Sequence, residues 1–92
     1  MLKLKLEKSF VRKISKIIKH SSAIEDKLSK TFNLLQQDPF NPLLKTHPLA
    51  GFLKGLYSCS LTHNIRIVFK LNNDIVHLVN IGTHDEVYKK IL

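Results

Sequence analysis

Residues 65–82, IRIVFKLNNDIVHLVNIG, decide how this chain folds. In 65–71 apolar and other residues alternate, so Ile65, Ile67, Phe69 and Leu71 fall on one face and Arg66, Val68 and Lys70 on the other. That two-residue period is the signature of a strand. Asn72, Asn73 and Asp74 then supply side chains that tolerate a tight hairpin turn. Residues 75–81 resume the alternation, with Ile75, His77, Val79 and Ile81 expected on a common face. A hairpin with one apolar face has to be covered, and its flanks supply the cover.

Upstream, 52–61 (FLKGLYSCSL) contains one or two short strands with Tyr57, Cys59 and Leu61 on one face, which extends the hairpin into an antiparallel meander. Residues 40–51 read as a loop punctuated by Pro42, Pro48 and Gly51. At the N-terminus, LKLKL (2–6) alternates as a strand. From Ser9 the period becomes helical, with Phe10, Ile14, Ile17 and Ile18 apolar and Arg12, Lys13, Lys16 and Lys19 on the other side. His20 is placed as a helix C-cap, and Ser22 with Glu25 has the spacing of a capping box that starts a second helix along Ile24, Leu28, Phe32 and Leu35. Asp38-Pro39 ends it. Downstream, Gly82 closes the last strand and Thr83 with Glu86 repeats the capping-box spacing, which puts His84 and Tyr88 one turn apart on the same face of a short helix. The expectation is an α+β fold over residues 1–92 as one domain. An N-terminal strand joins the edge of a small twisted antiparallel sheet, a helical hairpin packs on one face, and a short C-terminal helix follows.

Composition narrows the function. Apolar residues at 43% and charged ones at 24% are ordinary globular values. No apolar run approaches the ~18 residues of a membrane span, so no membrane partner is expected and the chain reads as soluble and cytoplasmic. A lone Cys59 allows no internal disulfide and no cysteine-rich zinc site. The net charge is +8, and Lys3, Lys5, Lys8, Arg12, Lys13, Lys16 and Lys19 crowd the first twenty residues against Glu7 alone. Such clustering attracts polyanions, either nucleic acid or an acidic protein.

The five histidines lack the spacing of a zinc-binding helix, and neither a glycine-rich phosphate loop nor a nucleophile elbow is present, so no metal and no cofactor is expected. Cys59, apolar-facing in a strand, reads as an inert thiol. RNA cleavage by the substrate's own 2′-OH fits what remains. It needs a base, an acid and a cation for the phosphorane, and imidazole serves both proton roles because its ordinary pKa is near 6.5. His47, Lys54, His63, Arg66, His84 and Tyr88 are the available groups, whereas mid-strand His77 reads as a core or sheet residue.

HPLAGFLKGLYSCSLTHNIRIVFKL followed by VNIGTHDEVY resembles the RelE/ParE superfamily of toxins from toxin–antitoxin modules, most closely the YafQ-like branch. The resemblance implies a ribosome-associated endoribonuclease that cuts mRNA, with a small antitoxin that wraps the toxin into a hetero-oligomer. By position, His47 matches the first histidine of the HPL.G motif and His84 the histidine of GTH. Tyr88 stands at the terminal aromatic, Arg66 at the catalytic arginine of the RelE branch, and Lys54 at the lysine before the central strand. The chain departs at Ser60, where YafQ-like enzymes carry a catalytic histidine, with His63 as its nearby substitute. It departs again at Asn64 in place of an aspartate and at Ile65 in place of an aromatic. Lys13, Lys16, Lys54 and Lys70 are the expected RNA contacts, including those to 16S rRNA. Two alternatives share the fold, a ParE-like toxin that binds a topoisomerase without cutting RNA and a weakened relative that only binds RNA.

Overall fold

The computed structural model describes residues 1–89. Its strands are β1 (Lys3–Leu6), β2 (His47–Pro48), β3 (Tyr57–Ser60), β4 (Ile65–Asn72) and β5 (Ile75–Thr83). Its helices are α1 (Lys8–His20), α2 (Ser22–Gln37) and α3 (His84–Lys89), and two 3₁₀ turns lie at Pro42–Leu44 and Gly51–Leu53. The sheet runs β1-β5-β4-β3-β2. Neighbours are antiparallel except β1 and β5, which pair in parallel, so the expected antiparallel sheet is in fact mixed. The α1–α2 hairpin separates β1 from the other strands, so no tight turn forces it to run antiparallel to its neighbour. The loop expected over 40–51 also contributes β2. This two-residue edge strand seats Pro48 where no further strand needs its missing N–H.

The β4–β5 turn forms as expected, with Asn73 in the left-handed region at φ +55°. The face assigned to β5 does not hold. Val68 pairs with Asn80 but Phe69 pairs with Leu78, so Val79 is bulged out of the ladder. One extra residue reverses the phase of a strand. Val76 and Leu78 before the bulge and Ile81 after it enter the core, while Ile75, His77 and Val79 stay half-buried.

The helices cover the face of Cys59, Ile67 and Phe69, and Phe10, Leu28 and Leu35 are the buried residues they contribute to that core. Leu53, Val68 and Val87 are buried apart from it. The Ser22–Glu25 capping box does not form. Ser21 is the N-cap and its side chain makes no capping bond. The backbone already serves this junction, because Ser21 N–H donates to Ile18 O and Ile24 N–H donates to Ser21 O.

Candidate active site

The β3–β4 turn is built on one hydroxyl. Thr62 Oγ1 accepts from the N–H groups of Asn64 (3.1 Å) and Ile65 (3.0 Å), a local turn that leaves His63 exposed near its tip. Arg66 follows on β4, opposite Ser60 of β3 and Gly82 of β5. Its guanidinium leans across the strand boundary, and Nη1 donates to Ser60 Oγ at 3.2 Å. The position where the resemblance expects a histidine therefore holds the arginine instead.

At the end of β5 the expected capping box is present. Thr83 N–H donates to Glu86 Oε1 at 2.9 Å, and Glu86 N–H donates to Thr83 Oγ1 at 3.3 Å. This starts α3 at His84, whose ring meets Tyr88 edge-on with centroids 4.3 Å apart. His84 Nδ1 faces Asp85 Oδ1 at 3.7 Å. Between the turn and the helix lies an open cleft of about 330 Å³, lined by His63, Asn64, Arg66, Thr83, His84 and Asp85.

Three of the expected residues, His63, Arg66 and His84, thus share one cleft, with Tyr88 packed against His84. His47 does not line it. Its place is on β2 opposite Ser58, exposed, with Nδ1 3.3 Å from Lys45 O. The pairing ladder nevertheless puts His47, Ser58 and Ser60 on one face, and the backbones of His47 and Ser60 are roughly 8 Å apart by strand geometry. Lys54 is exposed beyond the Gly51–Leu53 turn, and Lys70 is exposed on β4. Lys13 bonds through its ammonium to the Asn80 side-chain oxygen. With Lys16 it lines a separate cavity of about 210 Å³ beside Ile17, Ile81, Gly82 and Glu86. His77 is a half-buried sheet residue whose Nε2 is 2.5 Å from Glu7 Oε1, close in distance but outside hydrogen-bond geometry. Burial pushes the Cys59 thiol up to about 12, so no thiolate is available there. Among the described residues no three His, Cys, Asp or Glu gather as a metal-binding group. Sequence reasoning missed Thr83, Asp85 and Asn64 as cleft walls. Asp85, beside His84 at the head of a helix, was the one with a signal.

A family model described as the bacterial toxin YafQ of type II toxin–antitoxin systems matches residues 2–89. The chain belongs to the YafQ family. Solved structures agree with the fold of this YafQ-family toxin. A metal-bound toxin from Helicobacter pylori is 27% identical with a TM-score of 0.81, over 96% of this chain and 100% of that one. YafQ from E. coli strain BL21(DE3) is 19% identical with a TM-score of 0.79, over 96% and 99%. The toxin of the E. coli DinJ–YafQ toxin–antitoxin complex is 20% identical with a TM-score of 0.77, over 96% and 99%. No curated protein matches the chain. No helix among the described residues is long and apolar enough to cross a membrane.

Proposed function

We propose that this YafQ-family toxin is an endoribonuclease that cuts mRNA on the ribosome without a metal ion, by attack of a 2′-OH on the adjacent phosphate. The observation that carries this reading is the cleft, in which the Arg66 guanidinium and the His84 imidazole meet, with His63 at its mouth and His47 outside it on the far side of Ser60. A phosphate over Arg66 and Ser60 has His84 on its β5 side and His47 on its β2 side, and in-line displacement needs its base and acid on opposite sides. One imidazole takes the 2′-OH proton and the other donates a proton to the departing 5′-oxygen. The products are a 2′,3′-cyclic phosphate and a 5′-hydroxyl. Arg66 stabilises the charge of the phosphorane, a role for which a fixed guanidinium fork is suited. Tyr88 fixes the His84 ring, and Asp85 faces Nδ1 so that Nε2 is turned to the substrate. His63, at the cleft mouth, adds a positive charge when protonated. Lys16, Lys54 and Lys70, with Lys13 held by Asn80, contact RNA phosphates, 16S rRNA among them.

The toxin's cellular partner is a cognate antitoxin, as DinJ is for YafQ in the solved complex. The surplus of eight positive charges favours an acidic one and the formation of a hetero-oligomer in the cytoplasm. The test is primer extension on ribosome-bound message. His47→Ala and His84→Ala should each lower cutting by about 10²–10⁴-fold, and His63→Ala by less. Undiminished cutting in the His47/His84 double variant overturns the assignment. Intact message together with supercoiling defects would support a topoisomerase inhibitor instead.

A further inference from the structure

The sheet carries a second basic row, away from the cleft, in which two lysines flank a histidine. In the parallel pair β1–β5, Lys5 stands beside His77, and in the antiparallel pair β5–β4, His77 stands beside Lys70. Register partners share a face, so Lys5, His77 and Lys70 form one row across three strands, about 5 Å from one to the next at the backbone. This face is the one turned away from the α1–α2 hairpin, because the intervening Leu4, Leu6, Val76, Leu78, Phe69 and Leu71 pack into the core on the hairpin side. Lys5 and Lys70 are exposed, and the His77 side chain is 24% exposed, with Nε2 buried against Glu7. Arg66 lies on the same face of β4, four residues from Lys70, roughly 13 Å along the strand. One acid intrudes on the row. Glu7 Oε1 sits against His77 Nε2, and although Glu7 is the N-cap residue of α1 its side chain makes no capping bond. The carboxylate therefore caps no amide of the helix.

We propose that Lys5, His77 and Lys70 form a second RNA-phosphate site, which holds the RNA strand flanking the nucleotide in the cleft and which Glu7 holds partly occupied from within the chain. The polyanion is named as RNA on the strength of the nuclease reading above. Two exposed lysines about 10 Å apart across the sheet, with a half-buried histidine between them, meet a backbone of regularly spaced phosphates and read no bases. A phosphate arriving at the row competes with Glu7 for His77.

The test uses the full chain and a 2′-O-methylated single-stranded oligoribonucleotide, which binds but offers no 2′-OH for attack. Affinity is measured against potassium chloride concentration. Lys5→Ala/Lys70→Ala should reduce the log–log salt slope by about 1.4, since each phosphate contact on a single strand contributes about 0.7. Lys5→Gln and Lys70→Gln, which keep the apolar stems, should each reduce it by about 0.7. Glu7→Gln should tighten binding. Lys27→Ala/Lys30→Ala removes the same charge from exposed positions of α2 and should leave the slope near that of the wild type. Equal losses in both double variants, or no tightening in Glu7→Gln, overturns the site. Loss of poly-glutamate binding with RNA binding unchanged also overturns it and assigns the row to an acidic protein. Pelleting with small ribosomal subunits tells the two RNA sources apart, since reduced oligonucleotide binding supports a site for the message, whereas reduced pelleting with oligonucleotide binding unchanged overturns it and assigns the row to ribosomal RNA. Binding without any cutting by the wild type would defeat the nuclease reading and leave this site standing, whereas cutting with salt slopes that ignore the row would do the reverse.

Discussion

Gly82 is a glycine because of what approaches it. A Cβ there would lie 3.1 Å from Glu86 Cβ and 3.2 Å from Glu86 Oε1, the oxygen that closes the capping box on Thr83. Gly82→Ala should therefore loosen the box and cost about 1 kcal/mol, the usual worth of an N-cap, measurable as a lower denaturant midpoint. Cleavage should fall with it, because α3 begins at His84. At Cys59 the prediction concerns pH. The thiol's ordinary value is 9.0 and burial raises it to about 12, so below pH 9 both folded and unfolded thiols are protonated and stability is unaffected. Between about 9 and 12 only the unfolded chain ionises, and stability should decline as pH rises through that window. The matching observation is resistance of the native thiol to iodoacetamide at pH 8, lost on denaturation. His63, Arg66 and His84 were all legible as candidates from residue type and turn position. Their sharing of a cleft was not, since it depends on the β4–β5 register, which sets Ile65 against Thr83 and Arg66 against Gly82 beside the start of α3.

Elements show where pattern suffices and where it fails. The β4 face was readable because its alternation is uninterrupted, and the β4–β5 turn because Asn73 accepts positive φ. The face of β5 was misread because the sequence alternates straight through a bulge that only the register reveals. Two identical capping-box spacings also diverged. Thr83–Glu86 closes because Gly82 leaves room for the returning carboxylate, whereas at Ser22–Glu25 the backbone of Ser21 already satisfies the junction. Deleting Val79 tests the bulge. Without it Ile81, Leu78 and Val76 alternate continuously on the core face and Asn80, His77 and Ile75 on the other, so the ladder closes with its native facing. The expected result is a cooperative thermal transition close to that of the wild type, and its loss would show that the extra residue is needed to hold the register.

At the scale of the molecule, the α+β layering was legible from the switch between periods of two and 3.6, and the surplus of charge from a count. The parallel pairing of β1 was not, because strand direction at an edge leaves no trace in composition. That pairing joins Lys3 to Ile75 and Leu6 to Leu78, so the first strand finds its neighbour only near the other end of the chain. Synthesis proceeds from the N-terminus, and residues 75–78 are made after Arg66 and His63 but shortly before His84. A growing polypeptide therefore holds most of its reactive side chains while its sheet still lacks an edge and its cleft a wall. Such long-range closure is slow compared with local helix formation. The cleft is therefore complete only once the closing strand has left the exit tunnel, a delay written into the topology.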